Sequence, residues 1–213
     1  MIPYIGDISK NDAEVLKFYA EFSNTVLEAG VGGSTQVIAA YCKDDFTAIE
    51  TNIDWIQKTR KNIDILGINK QVEFVLYDEF MNREPEKRYD MIFVDLVDHL
   101  RKDFGCYSFD KLLKPGGFQL WHDQRRTGDI FNMIEVIKGY SAFIESVHIN
   151  YRESNITVIR KRNMPEALFY EDWNVIEGRE SWKQGFGDIP NEEQNNLKKQ
   201  TILKICEWWT KLN

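Results

Sequence analysis

The sequence feature that most constrains the fold is a short apolar run that breaks into glycines and continues as a helical segment. The run TVLEA, residues 25–29, is typical of a buried strand, and Gly30-Val31-Gly32-Gly33 follows it directly. Residues 34–41 then have helical composition. Glycines at such a turn let a ligand approach the backbone, and the start of a helix supplies N–H donors. The feature therefore predicts a strand–turn–helix unit with a ligand-binding turn.

The same alternation of strand and helix continues to about residue 160. Further strands are predicted at 46–50, 72–77, 89–95, 118–122, 143–149 and 155–160. Helices are predicted from an Asn11 cap to about residue 22, and at 53–66, 104–113 and 129–138. Strands that alternate with helices favour βαβ units in a right-handed, mostly parallel sheet. We expect a seven-stranded Rossmann-like α/β fold with helices on both faces and the last two strands antiparallel to each other.

The charge and composition exclude several functional classes. The 213 residues carry 34 acidic and 27 basic side chains, a net charge of −7, which disfavours binding to nucleic acid or to an anionic membrane. No apolar run is long enough to span a bilayer, and the N-terminus does not resemble a secretory signal. Cys42, Cys106 and Cys206 are too widely spaced for a disulfide framework or a metal cluster. We expect a cytoplasmic protein.

The chain is expected to divide into a domain at 1–162 and a C-terminal extension at 163–213. The extension contains four of the six tryptophans, a loop-like middle and a helical end. It either packs on its own domain, covers the active site as a lid, or forms a homodimer contact, since aromatic residues are enriched at interfaces.

Acidic residues stand where a nucleotide-like ligand would need them. Glu28 precedes the first glycine, where it would disfavour a pyrophosphate but suit a sulfonium and an amino group. The third glycine of the dinucleotide motif would fall at Thr35, which also argues against a dinucleotide. Glu50 closes the second strand and suits ribose hydroxyls. Asp78 follows the third strand, where it can accept from an adenine amino group or cap the next turn.

These elements, in this order, with YDMIFVD and LLKPGG after them, resemble the class I S-adenosylmethionine-dependent methyltransferases. The resemblance covers roughly residues 6–160. It implies S-adenosylmethionine as cofactor and a small-molecule substrate. The implied cofactor-binding residues are Glu28, Gly30 and Gly32 for the methionine part, Glu50 for the ribose, Asp78 for the adenine, and Ser34 and Asp95.

Within that family the chain is most similar to the catechol and caffeoyl-coenzyme A O-methyltransferases. Glu50-Thr51-Asn52 resembles their E-x-N, and the segment from Gly6 to Leu16 resembles their substrate-side helix. Asp95 and Asp123-Gln124 match their metal ligands, which implies a divalent cation such as Mg²⁺ at Asp95, Asp123 and Gln124. Such an ion would lower the pKa of the acceptor hydroxyl.

The departures from that pattern leave two mechanisms open. Gln124 replaces an Asn, and Asp98 replaces the catalytic Lys of the relatives. The acceptor is then deprotonated either with a metal held by Asp95, Asp123 and Gln124, or without one by a neutral histidine, His99 or His122. Arg125-Arg126 can clamp an anionic substrate or be solvated.

Three other functions compete with methyl transfer to oxygen. Aminopropyl transfer shares the fold and would use a dense acidic pocket around Asp95 and Asp98. A nicotinamide-dependent oxidoreductase is disfavoured by Glu28 and the missing glycine. A non-catalytic S-adenosylmethionine-binding protein would keep the cofactor acids and lose the acceptor side.

Overall fold

The structure is a computed structural model that describes residues 3–124, 127–149 and 154–163. The predicted extension from residue 164 onward and the Arg125-Arg126 pair therefore lie outside the described residues.

Seven strands form one sheet in the order β3-β2-β1-β4-β5-β7-β6. The strands are β1 (Thr25–Ala29), β2 (Asp45–Glu50), β3 (Glu73–Leu76), β4 (Tyr89–Val94), β5 (Leu113–Trp121), β6 (Ile144–Ile149) and β7 (Thr157–Lys161). The pairings among β1 to β5 are parallel, and β7 is antiparallel to both of its neighbours, β5 and β6. The predicted Rossmann-like sheet is confirmed.

The described helices flank this sheet. They are α1 (Lys10–Glu21), α2 (Gly33–Tyr41), α3 (Ile53–Ile65), α4 (Tyr77–Met81), α5 (Asp98–Tyr107) and α6 (Thr127–Tyr140). Two short turns complete the set, a π-helical turn at Ser108–Leu112 and a 3₁₀ turn at Ser141–Phe143.

Two apolar cores, one on each face of the sheet, explain why its central strands read as unbroken apolar runs. Along β4, Ile92 and Val94 pack into one core with helices α5 and α6, and Met91 and Phe93 pack into the other with α1 and α2. Both faces are buried, as expected for a parallel strand between helical layers. By the same alternation, Glu28 of β1 lies on the α1–α2 face, with Val26.

Several predicted boundaries were wrong. Strand β5 begins at Leu113 rather than at residue 118, so that residues 114–117, which were expected to separate a helix from this strand, are part of it. Ser9, not Asn11, caps α1, because the Ser9 hydroxyl accepts the Asp12 N–H at 3.1 Å. Helix α5 begins at Asp98 rather than near residue 104, and the turn that follows it continues the helical structure to Leu112. Strand β3 ends at Leu76, since Tyr77 already opens α4.

The strand order places a crevice at the carboxyl ends of β1 and β4. Neighbouring strands there continue into helices on opposite sides of the sheet, which is where ligands bind in open α/β sheets. Among the described residues, no helix is both long and apolar enough to cross a bilayer.

Candidate functional site

The turn after β1 lies directly against the end of β4. Gly30 has φ +96°, and a Cβ there would lie 2.2 Å from the carbonyl oxygen of Asp95. The Asp95 N–H donates to Ala29 O at 2.7 Å, and the Gly30 N–H donates to Ile49 O at 2.9 Å. Only glycine fits this close approach of two backbones. The first predicted glycine therefore builds the floor of the crevice.

The next two glycines differ in what surrounds them. A Cβ at Gly32 would meet no atom within 4 Å, so the space beside this residue is open. A Cβ at Gly33 would lie 2.9 Å from the Ile8 side chain. Gly32 thus leaves room for a ligand, whereas Gly33 makes room for the N-terminal segment.

The N-terminal segment is held over the glycine turn by a side chain that the sequence did not single out. The Ile5 N–H donates to Gln36 Oε1 at 2.6 Å, and Gln36 Nε2 donates back to Ile5 O at 2.7 Å. Gln36 Nε2 also reaches Gly32 O at 3.2 Å. The fully buried Gln36 side-chain amide thus bonds both the N–H and the carbonyl of Ile5, as a paired backbone would. It thereby links Ile5 to Gly32.

Glu28 is a fully buried carboxyl group beneath this turn. Neither of its oxygens meets a donor in hydrogen-bonding geometry among the described residues. Burial raises the pKa of Glu28 to about 8; the Ser34 and Thr35 hydroxyls oppose the rise, and the charges of Asp95 and Glu50 add to it. Ser34 itself is buried in the first turn of α2. An ammonium or sulfonium group is the kind of ligand that would stabilise the ionised form of such a carboxyl.

Glu50 links the end of β2 to the glycine turn. Its Oε2 accepts the Val31 N–H at 3.0 Å, and its Oε1 accepts the backbone N–H groups of Thr51 at 2.6 Å and Asn52 at 3.0 Å. The Thr51 hydroxyl donates to the same Oε1 at 2.9 Å. Each carboxylate oxygen has two acceptor positions, and Oε2 uses only one of them, for Val31, so one is left for a ligand hydroxyl. Glu50 is thus both a positioning residue for the turn and a candidate ribose contact.

Two predicted residues are exposed and apart from these contacts. Asp78 lies in the first turn of α4, whose N-cap is Leu76, so Asp78 does not cap that helix. His99 is exposed in the first turn of α5. It does not belong to the group of metal-ligating side chains found among the described residues, which consists of Asp95, His122 and Asp123.

Asp95 and Asp123 are brought together by a buried arginine. Arg101 Nη2 donates to Asp95 Oδ1 at 2.7 Å and to Asp123 Oδ2 at 3.2 Å. Arg101 is 3% exposed. Its Nε donates to Leu96 O, and its Nη1 donates to His122 O at 3.3 Å. Burial raises the pKa of Asp95 even though His122 and Arg101 act to lower it.

His122 lies between carboxylates from two elements. Its Nδ1 is 3.1 Å from Asp95 Oδ2, and its Nε2 is 3.6 Å from Asp12 Oδ2 on α1. Burial lowers the pKa of His122, but the nearby carboxylates of Asp12, Asp95 and Asp123 outweigh it and raise the pKa to about 10. His122 therefore carries a proton at neutral pH, the opposite of what a general base needs.

Asp12 anchors α1 to this group and was not predicted. Its Oδ1 accepts the Ser154 hydroxyl at 2.8 Å and the Asn155 N–H at 2.5 Å, and its Oδ2 accepts the Ser9 hydroxyl at 2.6 Å. Burial acts to raise the pKa of Asp12, but these bonds and His122 hold it well below its ordinary value. The S-x-x-D pattern of Ser9 to Asp12 is the sequence signal that marks this helix start.

The donor set does not fit a divalent cation of the kind that the resemblance implies. Gln124, the implied third ligand, donates from Nε2 to His122 O at 2.8 Å, and its Oε1 is buried without a hydrogen-bond partner among the described residues, so the misfit comes from the two acids. The carboxylates of Asp95 and Asp123 already bind Arg101. His122, rather than Gln124, offers the third atom near them. The structure thus brings Asp95 and Asp123 together as predicted, but the group between them is the guanidinium of Arg101.

Comparisons with known proteins bear on the fold. No family model and no curated protein matches the sequence. Among solved structures, the chain is similar to an O-methyltransferase from Bacillus cereus in complex with S-adenosylhomocysteine, with 17% identity and a TM-score of 0.59 over 75% of this chain and 84% of that one. The chain therefore has a Rossmann-like methyltransferase fold.

Two further structures have the same fold. An O-methyltransferase from Streptomyces achromogenes involved in tomaymycin synthesis, in complex with S-adenosylmethionine, shares 14% identity and a TM-score of 0.60 over 73% of this chain and 82% of that one. A candidate caffeoyl-coenzyme A O-methyltransferase from Staphylococcus aureus shares 20% identity and a TM-score of 0.56 over 75% of this chain and 86% of that one.

Proposed function

We propose that the protein transfers a methyl group from S-adenosylmethionine to a hydroxyl oxygen of a small molecule. The observation that carries this proposal is Glu28, a buried carboxyl without a hydrogen-bond partner, beneath an open glycine turn at the switch point of the sheet. The fold shared with O-methyltransferases crystallised with S-adenosylmethionine or its product supports it.

The charges near the glycine turn favour S-adenosylmethionine over a dinucleotide as the cofactor. A dinucleotide would bring its pyrophosphate next to the Glu50 carboxylate, which is unfavourable, and it would not stabilise the ionised form of Glu28. S-adenosylmethionine brings a sulfonium and an ammonium group instead. We assign its methionine part to Glu28, Gly30, Gly32 and Ser34, its ribose to Glu50, and its adenine to the side of Asp78.

The acceptor side is assigned to the group around Asp95 and Asp123. In the transfer, the acceptor oxygen forms a bond to the methyl carbon, the carbon–sulfur bond breaks, and the sulfonium becomes a neutral thioether. The acceptor hydroxyl passes its proton to a carboxylate of this group, and we assign this role to Asp95, whose pKa is raised by burial. Asp12, Asp95 and Asp123 carry three negative charges against the two positive charges of Arg101 and protonated His122. This net negative group favours both the sulfonium and the departing proton.

Calorimetric titration tests the cofactor assignment. S-adenosylmethionine and S-adenosylhomocysteine should bind, and NAD should not. Glu50→Ala should weaken S-adenosylhomocysteine binding by about 1.5–3 kcal/mol, the scale of charge-assisted hydrogen bonds. Glu50→Gln keeps one acceptor oxygen, so its comparison with Glu50→Ala distinguishes loss of the ribose contact from loss of support for the turn. Glu14→Ala, at an exposed site on α1, is the matched control. Tight binding of NAD, or unchanged affinity in Glu50→Ala, would contradict the assignment.

Aminopropyl transfer is not favoured by the geometry. The acidic pocket it would need includes Asp98, which is exposed on α5 and is not part of the group around Asp95. A protein that binds the cofactor without catalysis would pass the calorimetric test and show no methylation of any acceptor.

A further inference from the structure

Each carboxylate oxygen of the two acids that resemble metal ligands already lies close to a nitrogen of the protein. Asp95 Oδ1 accepts from Arg101 at 2.7 Å, and Asp95 Oδ2 lies 3.1 Å from His122 Nδ1. Asp123 Oδ2 accepts from Arg101 at 3.2 Å, and Asp123 Oδ1 accepts from Asn155 Nδ2 at 3.3 Å. Each of the four oxygens thus faces a nitrogen of the protein. A metal ion would have to displace at least some of these groups.

Arg101 is anchored at several points, so that its displacement would be costly. Its side chain is 4% exposed. Besides the two carboxylates, it donates to the backbone carbonyls of Leu96 and His122, which are the sequence neighbours of Asp95 and Asp123. An arginine remains charged at every accessible pH and offers five donors in a fixed plane, which suits it to bridge two carboxylates.

The conformation of Asp123 fits this bridge. Asp123 has φ +60°, and it is the only non-glycine residue with a positive φ in the described part of the chain. This conformation is uncommon for a residue other than glycine and costs free energy unless its surroundings stabilise it. Here the Asp123 carboxylate is bound by Arg101 from α5 and by Asn155 from the segment before β7.

We propose that the guanidinium of Arg101 takes the place of a divalent cation between Asp95 and Asp123, so that this site binds no metal ion. The assignment of the site as the acceptor side rests on the proposed function. The exclusion of metal rests only on the local contacts. A doubly charged ion beside a buried guanidinium would be repelled, and Arg101 already supplies the positive charge that holds the two carboxylates together.

Titration with Mn²⁺, followed by electron paramagnetic resonance, measures ion binding directly and needs no acceptor. The wild-type chain should leave the spectrum of free Mn²⁺ unchanged at millimolar concentration. One bound Mn²⁺ per chain, lost in Asp123→Asn or in His122→Gln, would overturn the proposal and place the ion between those side chains. Calorimetry with S-adenosylhomocysteine on the same preparation tests the proposed function separately, since cofactor binding and ion binding can each succeed or fail alone.

The Arg101→Ala variant tests the cause of the exclusion. Removal of the guanidinium leaves two carboxylates facing each other, so this variant should bind Mn²⁺ at least about tenfold more tightly than the wild type. Arg60→Ala, which removes an arginine from α3 that lies over the Phe74 ring, is the matched control and should behave as wild type. A folded Arg101→Ala variant that binds no Mn²⁺ would contradict the role given to Arg101.

Arg101→Lys keeps the test valid if Arg101→Ala does not fold. Lysine retains the positive charge between the acids, so the folded variant should still exclude Mn²⁺. Binding of Mn²⁺ by Arg101→Lys would show that charge at this position does not exclude the ion, and would count against the proposal. Circular dichroism melts establish which variants are folded before the titrations.

Discussion

At the scale of single residues, Glu28 is a carboxyl group whose burial favours its protonated form. It is fully buried, and in the described structure neither oxygen has a hydrogen-bond partner. Burial raises its pKa from 4.5 to about 8. The group is thus neutral at neutral pH until a cation approaches it. Ionisation of such a buried carboxyl lowers the free energy of unfolding, so the stability of the chain should depend on the protonation of Glu28.

The first prediction is that Glu28→Gln changes how stability depends on pH. Between pH 4.5 and pH 8 folded Glu28 keeps a proton that the unfolded chain has lost, so the folded state binds more protons and stability falls as the pH rises. Glutamine does not titrate, so Glu28→Gln should gain stability relative to wild type by a few kcal/mol between pH 5 and pH 8. Urea unfolding of the ligand-free proteins at both pH values measures the difference. Glu14→Gln, an exposed site, should show no such trend; a constant difference for Glu28→Gln would contradict the assigned environment.

At the scale of elements, a buried lysine holds the junction between α5 and β5. Lys161, at the end of β7, is 0% exposed. Its Nζ donates to Phe109 O at 2.6 Å, to Leu113 O at 2.8 Å and to Asp110 O at 3.2 Å. The π-helical turn leaves these carbonyls without the regular partners of an α-helix, and the lysine supplies the donors. The last strand thereby fixes the turn that leads into β5, which ends at the site.

The second prediction concerns this junction. Lys161→Met keeps the length of the side chain but leaves buried carbonyls without a donor, which should lower the free energy of unfolding by about 2–4 kcal/mol. Urea unfolding measures the effect. Lys61→Met, at an exposed position of α3, is the control and should change stability little. Similar small losses in both variants would show that the three carbonyls do not depend on Lys161.

At the scale of the whole molecule, the sequence predicted the parts of the fold that depend on local patterns. Apolar runs identified all seven strands, and the glycines and acids at their ends located the crevice between β1 and β4. The π-helical turn was missed because no residue type marks it. Arg101 was missed because its two partners stand at the ends of β4 and β5, and only the sheet brings those ends together. Spacing along the chain could not show that a helix side chain would bridge them.

The last prediction concerns the C-terminal extension, which we propose forms a homodimer contact. The described residues contain a seven-stranded sheet and all the assigned site residues, so we expect a chain truncated after Asn163 to fold and bind S-adenosylhomocysteine with the affinity of the full chain. The extension holds four tryptophans, whose apolar surface is stabilised by burial. Light scattering should therefore show a dimer for the full chain and a monomer for the truncated one. Equal oligomeric states would exclude the extension as the contact. If the truncated chain then kept cofactor binding but lost methyl transfer, the extension would instead act as a lid over the acceptor side, because only that part of the reaction would depend on it.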